Sequence, residues 1–339
     1  MTSHLAAEAV NELGLELHRG LPGPGNRLLS PLSIQLAAAM AFAGSAGATR
    51  EEMNRVLHFC GDETLAAFDA LVAELRLGLA SDDLLSLANR LFVQRGYDLR
   101  PSFLALVATH HGSAPEEVDY RATEPARARI NGWVEEETAN KIRDLVPHGV
   151  LDETTRLVLV NALYLRAAWQ ERFHTAGTSL EEFFVEGAQP ARVPTMHQKV
   201  HCGYAKKGEH HIIALPFAGG AMRFVAFVPN EKDGLAALEA SLDGRALSRA
   251  ARIPIMEAIV WLPKFRIEPP ALALAKALRE LGLKSAFDDP RGSADFDAMA
   301  PRRPDDYLFL SEVLHKTFLA LDEEGVEACL FVGRVADPR

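Results

Sequence analysis

Apolar residues in this chain fall into two kinds of pattern. Two segments, Leu157–Leu165 and His315–Leu321, are mostly apolar or β-branched, which is typical of strands buried on both faces in the middle of a sheet. Elsewhere the apolar residues recur every three or four positions, as Ile130, Trp133 and Val134 do. That spacing indicates a helix with one buried face. The chain is therefore predicted to mix helices with deeply buried strands.

Two helix starts are marked by residues that cap helices. Ser30 and Pro31 follow the apolar pair Leu28–Leu29, and a serine N-cap before a proline favours a helix start at that point. The helix that follows, SIQLAAAMAFAG, is apolar on nearly all sides, so it must be buried. Thr49, with Glu52 three residues later, forms a capping-box pattern that predicts the start of the next helix.

The other predicted elements lack the strict strand–helix alternation of a parallel α/β fold. We predict strands at Leu87–Gln94 and Ile259–Ile267 and a hairpin of Ile212–Phe217 with Met222–Val228. We also predict an N-terminal amphipathic helix and further helices that start at Pro101, span 124–138, lie near 234–242 and run from Pro269 to Gly282. This order favours an α+β fold with more than one sheet. Length alone allows one domain or two, but no linker divides the chain, so we expect one domain, residues 1–339.

The segment after the second buried run changes character abruptly. Asp322, Glu323 and Glu324 are followed by Gly325 and by small residues, so a central strand leads into an acidic and flexible exit. We interpret this junction as a hinge.

Charge and composition exclude several classes of function. The 339 residues carry a formal charge of −10, and a surface of that sign would not attract nucleic acid or an anionic membrane. The N-terminus has neither a basic segment nor an unbroken apolar stretch, so no signal peptide is predicted. A cytoplasmic location is the default, and the Arg- and Ala-rich composition is typical of a GC-rich bacterial genome.

Candidate chemistry for catalysis or metal binding is sparse. Cys60, Cys202 and Cys329 are odd in number and lack metal-ligand spacing, so free thiols are expected. No nucleophile elbow, Walker motif or dinucleotide motif is present. His197 and His201 suggest a metal site only weakly, because the segment is predicted to be strand and loop, where the two side chains need not converge.

Several blocks of sequence together resemble the serpin family, the serine protease inhibitors. In family order they are LLSPLSIQLAAAMAFAGSAGAT, ANRLFVQRGYDLRPSF, INGWVEEETANKIRDLV, LVLVNALYLRAAWQERF, VPTMHQ, LPKF and the hinge EEGVEA. The resemblance covers nearly the whole chain. It implies a serpin fold with a large central mixed sheet, further sheets and about eight or nine helices.

The resemblance also implies functional positions, each of which has an ordinary structural alternative. The implied hinge is Glu323, Glu324, Gly325, Val326, Glu327 and Ala328; the implied sheet-opening cluster is Ser30, Ser33, Asn161 and His315; and the implied loop-entry region is Trp169 and Lys264, with Lys264 paired to Glu323. Taken singly, Ser30 is also explained as a helix cap, Trp169 as a core residue, and the buried polar residues as hydrogen-bonded members of the core.

The implied activity is suicide inhibition of serine or cysteine proteases. A protease cleaves a bait loop, and the loop inserts into the central sheet as a new strand. No catalytic residue or cofactor is implied, and we expect a monomer. The implied partner is a serine-type protease if an intact bait loop exists, and the family also allows an extracellular location. In this chain Ala328 and Cys329 lead directly into the closing strand Leu330–Val335, so the bait loop and the strand after it are absent. The alternative function is a non-inhibitory binding or structural protein with the same fold.

Overall fold

The computed structural model describes residues 2–21, 23, 25–111, 114–138, 140–185, 190–328 and 332–339. Nine α-helices lie within these ranges. They are α1 Thr2–Gly20, α2 Pro31–Ala43, α3 Gly47–Val56, α4 Thr64–Leu77, α5 Pro101–His111, α6 Thr123–Glu137, α7 Leu235–Ser241, α8 Gly244–Ala250 and α9 Ala275–Glu280.

The same ranges contain fifteen strands. They are β1 Arg27–Leu29, β2 Leu84–Gln94, β3 Glu116–Val118, β4 Leu157–Ala168, β5 Thr178–Phe184, β6 Pro190–Lys207, β7 His210–Pro216, β8 Arg223–Pro229, β9 Ile255–Pro263, β10 Phe265–Ile267, β11 Leu272–Ala273, β12 Leu310–His315, β13 Leu319–Leu321, β14 Gly325–Ala328 and β15 Val332–Arg334. The fold is α+β, as the sequence predicts.

A large mixed sheet of eight strands forms the centre of the molecule. Its main path runs β10-β13-β14-β4-β12-β11, and β2 and β3 extend it beyond β4. Strand β4 is antiparallel to β2 and β14 but parallel to β12. Residues Leu157–Val160 of β4 are almost fully buried, because helices α2 and α6 pack against this part of the sheet. The uninterrupted apolar run in the sequence correctly predicts this central strand.

A second sheet contains five strands, in the order β5-β6-β7-β8, with β9 also paired to β6. Strand β6 is eighteen residues long, so it pairs with β5 near its start, with β9 along its middle and with β7 near its end. The predicted hairpin is present as β7 and β8. Strand β15 pairs with β1 in a separate two-stranded ribbon.

Two of the predicted capping interactions are wrong. Ser30 is the N-cap of α2, but its hydroxyl forms no capping hydrogen bond. Helix α3 begins at Gly47 and not at Thr49. Glu52 instead accepts hydrogen bonds from the backbone N–H groups of Lys284 and Ser285, so this carboxylate ties α3 to the chain after α9.

Two predicted elements are interrupted in the structure. The helix expected from Pro269 begins only at Ala275, because Leu272 and Ala273 pair with β12 as a short edge strand. The predicted strand His315–Leu321 is divided between the end of β12 and the whole of β13. Each part has different neighbours, since β12 pairs with β4 whereas β13 pairs with β10 and β14.

The predictions for two cysteines and for the strand Ile259–Ile267 agree with the structure. Cys60 and Cys202 are free thiols, whereas Cys329 lies outside the described residues. None of the described helices is both long and apolar enough to cross a membrane. The predicted strand Ile259–Ile267 is present but changes sheets at Pro263, where β9 ends and β10 begins.

Candidate functional site: the hinge turn and the opening in the central sheet

The chain after the acidic turn returns into the central sheet instead of leaving it. Strand β14 lies between β13 and β4 and is antiparallel to both. Val326, for example, is opposite Leu321 on one side and Ala167 on the other. The sequence predicted a flexible exit here, and this prediction is wrong, because the backbone of Gly325–Ala328 pairs with two neighbouring strands.

The turn that reverses the chain is built around Asp322. The Asp322 carboxylate accepts hydrogen bonds from the N–H groups of Glu324 at 2.9 Å and Gly325 at 3.3 Å. Asp322 N–H in turn donates to Gly325 O at 3.1 Å. A Cβ atom at position 325 would overlap the carbonyl oxygen of Ala167, so only glycine fits against β4 here.

Trp169 holds this turn from the side of β4. Its indole Nε1–H donates to Asp322 O at 2.8 Å, and its backbone N–H donates to Glu324 O at 3.0 Å. The indole is buried, stacks on Phe217 with ring centroids 5.2 Å apart, and meets the edge of Phe173. The predicted loop-entry tryptophan therefore contacts the turn directly through two hydrogen bonds.

Glu323 is a buried carboxylate with two donors. Lys264 Nζ lies 2.6 Å from Glu323 Oε2, and Thr178 Oγ1 donates to Glu323 Oε1 at 2.7 Å. Burial alone would raise the pKa of this carboxyl, but the hydrogen bonds from Lys264 and Thr178 outweigh burial and hold the pKa below its usual value. The ion pair expected between Glu323 and Lys264 is confirmed.

The side chains of β14 fix its depth in the sheet. Val326 is 3% exposed and belongs to the hydrophobic core. On the next residue, Glu327 Oε1 accepts from Tyr164 Oη at 2.7 Å and lies 2.6 Å from Lys141 Nζ. Burial opposes ionisation of Glu327, but the Lys141 and Tyr164 hydrogen bonds lower its pKa overall. Burial and the neighbouring carboxylate raise the pKa of Tyr164 to about 12.

The strand that pairs with β4 changes along its length. Leu314 of β12 is opposite Val160, whereas Ala328 of β14 is opposite Leu165. Strand β4 thus pairs with β12 up to Val160 and with β14 from Leu165 onward. The sheet divides over the residues between these two points.

His315 lies at this division and is almost completely buried. Ser30 N–H donates to His315 Nε2 at 3.0 Å, and burial lowers the pKa of His315 to about 4. The imidazole is therefore neutral at neutral pH, with its proton on Nδ1. Among the described residues, neither His315 Nδ1 nor Ser30 Oγ has a hydrogen-bond partner.

The structure shows the position of Ser33 and of the Asn161 backbone, the other two members of the predicted sheet-opening cluster. Ser33 is buried in α2, one turn from Ser30. Asn161 is in β4 directly opposite Asn89, but its side chain lies outside the described residues. A hydrogen bond between Asn161 and His315 remains a prediction.

Sequence reasoning missed several residues that hold the hinge. They are Lys141, Tyr164, Thr178, Phe173 and Phe217. The sequence did contain one indication of these contacts, the glutamate at position 327. A charged residue between central strands requires a buried partner. The identity of that partner depends on tertiary packing, which spacing along the chain does not reveal.

His197 and His201 do not form a metal site together. His197 stacks on Trp261 with ring centroids 4.3 Å apart, whereas His201 Nδ1 lies 2.8 Å from Glu171 Oε1. Within the described part of the chain, no group of three or more His, Cys, Asp or Glu side chains is arranged to hold a metal ion.

Comparison with known proteins gives one family. The model of the family described as "Serpin (serine protease inhibitor)" matches residues 8–337. Leukocyte elastase inhibitor from Bos taurus is 35% identical over 323 residues, which are 92% of this chain and 84% of that protein. An uncharacterized serpin-like protein from Thermococcus kodakarensis is 34% identical over 325 residues, which are 94% of this chain and 74% of that one. These relatives are animal and archaeal, so the bacterial type remains a prediction.

Solved structures agree with the family match. The structure titled "Cleaved Serpin 42Da" superposes with a TM-score of 0.87 at 31% identity, covering 98% of this chain and 89% of that chain. Serpin48 of Tenebrio molitor gives a TM-score of 0.84 at 29% identity, covering 98% and 94%. The predicted fold is confirmed.

Proposed function

Because the chain belongs to the serpin family, we propose that its fold serves inhibition of serine-type proteases through the hinge, an activity that needs an intact bait loop, and not catalysis of a reaction. The family's printed description and the 35% identity to an elastase inhibitor support this role. An elastase-like serine protease is accordingly the first partner to test. The role requires no cofactor, and the acidic surface disfavours nucleic acid as a partner.

One observation carries the proposal: residues after the hinge occupy a strand position in the centre of the sheet. Strand β14 is short, but it has neighbours on both sides, a buried Val326 and a glycine at the turn. Inhibition by loop insertion requires such a position, because the inserted loop must form backbone hydrogen bonds to two strands at once. Trp169, Glu323 and Lys264 lie at the turn that begins β14, and His315 lies at the end of β12, where β4 changes its neighbour, which supports the roles predicted for them.

The connection after the hinge limits what this 339-residue chain can do. Val326–Ala328 belong to β14, so only residues 329–331 connect it to β15. Three extended residues span about 10 Å. A bait loop must leave the sheet, offer a scissile bond and later form a full strand, which needs several times that reach. The chain as it stands therefore has the insertion site without the bait loop.

The decisive experiment compares this chain with a version that carries a longer connection. About twenty residues with an elastase-type cleavage site would be inserted between Ala328 and Val332, enough for a full strand and its return. The original chain is expected to form no detergent-resistant covalent complex with elastase-, trypsin-, chymotrypsin- or subtilisin-like proteases. The lengthened version is expected to form one, visible as a heat-resistant band on a denaturing gel.

A matched control isolates insertion from simple cleavage. The lengthened version with Val326→Arg should be cleaved by the protease without trapping it, because a charged side chain is not tolerated at the first buried position of β14. A stable complex formed by the original chain would contradict the proposed effect of the short connection. Failure of the lengthened version with all four proteases would count against the inhibitory role and favour the non-inhibitory alternative.

A further inference from the structure

Five charged or titratable side chains meet at the C-terminal end of α1. They form the arginine cluster, which consists of His18, Arg19, Arg27, Glu239 and Arg334. His18 is 5% exposed, and its Nε2 lies 2.9 Å from Glu239 Oε1. Arg334 Nη1 lies 3.4 Å from the other oxygen of the same carboxylate. Glu239 thus binds one histidine and one arginine, and none of the five residues belongs to the hinge.

Two arginines of the cluster have no carboxylate partner. Among the described residues, Arg19 and Arg27 take part in no ion pair, and each donates instead to backbone carbonyl groups, which carry no net charge. Burial and the like charge of Arg334 lower the pKa of Arg27, and they outweigh the opposing effect of Glu239. The cluster therefore sets three guanidinium groups against one carboxylate.

Other acidic residues next to the cluster in sequence have partners of their own. Glu16 Oε2 lies 2.9 Å from His58 Nε2, and Asp337 Oδ2 lies 2.6 Å from Arg339 Nη2. Asp243 caps α8 by accepting from a backbone N–H. The oxygen atoms of these carboxylates are therefore bound by groups other than Arg19 and Arg27, and the excess of positive charge remains.

Two buried nitrogen atoms of the cluster have no hydrogen-bond partner among the described residues. They are Arg27 Nε and His18 Nδ1. Arg27 Nε carries a proton and can only donate. In the neutral imidazole of His18, the proton on Nε2 faces Glu239, so Nδ1 is an acceptor without a donor. A group that fits between them must offer an oxygen acceptor to Arg27 and an O–H donor to His18.

There is space for such a group beside these atoms. A cavity of about 440 Å³ is lined by His18, Arg19, Arg27, Ala236, Glu239 and Ala240. Its volume is within the range of sites that hold small ligands. The two alanines are on α7 and have short side chains, so they leave the arginines and the histidine as the groups that can bind a polar ligand.

We propose that this cavity binds inorganic phosphate. The excess of positive charge attracts an anion, and the guanidinium groups of Arg19 and Arg27 donate to its oxygen atoms. Monohydrogen phosphate also carries one O–H group, which donates to His18 Nδ1. Sulfate has no O–H group at neutral pH, and a phosphate monoester has largely lost its own. Inorganic phosphate is therefore the oxyanion that satisfies both unpartnered nitrogen atoms.

The test is isothermal titration calorimetry of the intact protein slightly above neutral pH, where monohydrogen phosphate is the main species. Sodium phosphate, sodium sulfate and phenyl phosphate are titrated separately at one ionic strength, because salt screens exposed charges. Phosphate is expected to bind saturably. Sulfate and phenyl phosphate are expected to bind about tenfold more weakly or worse, since each leaves the His18 acceptor without a donor.

Two arginine variants and a control locate the binding site. Arg19 is exposed, so Arg19→Gln should fold and weaken phosphate binding about fivefold. Arg27→Lys keeps a positive charge but lacks the Nε–H donor, and it should weaken binding about tenfold or more. Arg121→Gln is the control, because Arg121 is exposed, pairs with Asp119 and is not part of the cavity. It should bind phosphate as wild type does.

His18→Leu tests the choice between anions. The variant lacks the Nδ1 acceptor, so the preference for phosphate over sulfate should fall from about tenfold to near equality. A purely structural change would weaken both anions alike and leave their ratio unchanged. If His18→Leu does not fold, the arginine variants and the comparison of the three anions on wild type still decide.

Four results would overturn the proposal. The first two are an absence of saturable phosphate binding and equal binding of sulfate and phosphate by wild type. The third is equal binding of phenyl phosphate, which would show that the O–H group is not recognised. The fourth is unchanged phosphate binding in both Arg19→Gln and Arg27→Lys, which would place the phosphate elsewhere on the protein.

Discussion

Lys264 Nζ lies 2.6 Å from Glu323 Oε2 at the point where the chain turns back into the central sheet. Lys264 connects β9 to β10, and Glu323 lies between β13 and β14. The ion pair therefore joins the five-stranded sheet to the hinge. The Glu323 side chain is only 9% exposed, whereas that of Lys264 is 35% exposed, so the two partners do not contribute equally.

We predict that Lys264→Met destabilises the protein more than Glu323→Gln does. Loss of the lysine leaves a buried carboxylate with Thr178 as its remaining side-chain donor, whereas the glutamine carries no charge. A double-mutant cycle should give a coupling energy of about 1 kcal/mol, since one partner is partly solvated. Denaturant unfolding measures all four proteins. A coupling energy of zero would mean that the pair contributes no stability.

The Glu323 pair should also depend on pH in a defined direction. The folded pKa of Glu323 is below its usual value, so its stabilising contribution is present above the unfolded pKa and is lost as pH falls through the folded pKa. Stability differences between wild type and Glu323→Gln should therefore be constant near neutral pH and decline below pH ~4. A difference that grows on acidification would contradict this assignment.

His315 predicts acid sensitivity in a higher pH range. Its folded pKa is about 4 against an ordinary value of 6.5, so between these values the unfolded chain binds the proton and the folded chain does not. Stability should therefore fall as pH decreases from 6.5 to 4, by up to roughly 3 kcal/mol. His315→Gln keeps an acceptor for Ser30 N–H but does not titrate.

The comparison of these two proteins isolates the histidine from other titrating groups. Unfolding free energies of wild type and His315→Gln would be measured at half-unit intervals from pH 4 to pH 8. The difference between them should favour wild type most near neutral pH and decrease toward pH 4. Parallel pH profiles would show that His315 does not account for the acid sensitivity.

Strands and helices that are apolar on all sides could be predicted from the sequence. The run Leu157–Leu165 identified the central strand β4, and the apolar helix after Ser30 identified buried α2, because an element apolar on all sides has no stable exposed position. The Glu323–Lys264 pair was found through the family resemblance alone. Their separation along the sequence gives no local signal for the contact.

Structural details that depend on contacts between distant elements could not be predicted from the sequence. Thr49 and Glu52 match a capping box, but Glu52 binds two N–H groups after α9 instead, and the helix starts earlier. The segment after Gly325 has the composition of a flexible exit, yet it forms β14. Its pairing depends on the separation of β13 from β4, a property of the assembled sheet.

We predict that Trp169→Phe loosens the hinge turn. The change removes the Nε1–H that donates to Asp322 O and should cost about 1–3 kcal/mol, because a partly buried carbonyl loses its donor. Trp133→Phe is a matched control, since Trp133 is equally buried but its Nε1 has no hydrogen-bond partner among the described residues. Hydrogen exchange at residues 322–325 should accelerate in the first variant and not in the second. Equal acceleration in both would assign the effect to packing.

The depth of Val326 predicts that β14 can be expelled from the sheet by one substitution. Val326 is 3% exposed, and its nearest sheet neighbours are Leu321 and Ala167. Val326→Arg would bury an unpaired guanidinium at a cost of several kcal/mol, which exceeds what four residues of strand pairing are expected to return. The strand should therefore leave the sheet while the rest of the fold remains.

Hydrogen exchange and limited proteolysis measure this outcome. In Val326→Arg the amides of residues 325–328 should lose protection and the chain near Ala328 should become cleavable, whereas Leu310–Leu314 should stay protected, because β12 pairs with β4 independently of β14. Val326→Thr is the control: it has nearly the same shape and is uncharged, so β14 should stay in place at a cost of about 1 kcal/mol. If the amides of residues 325–328 stay protected from hydrogen exchange in Val326→Arg, then backbone pairing and the Glu327 contacts hold β14 in the sheet. The side chain at position 326 would then not control insertion.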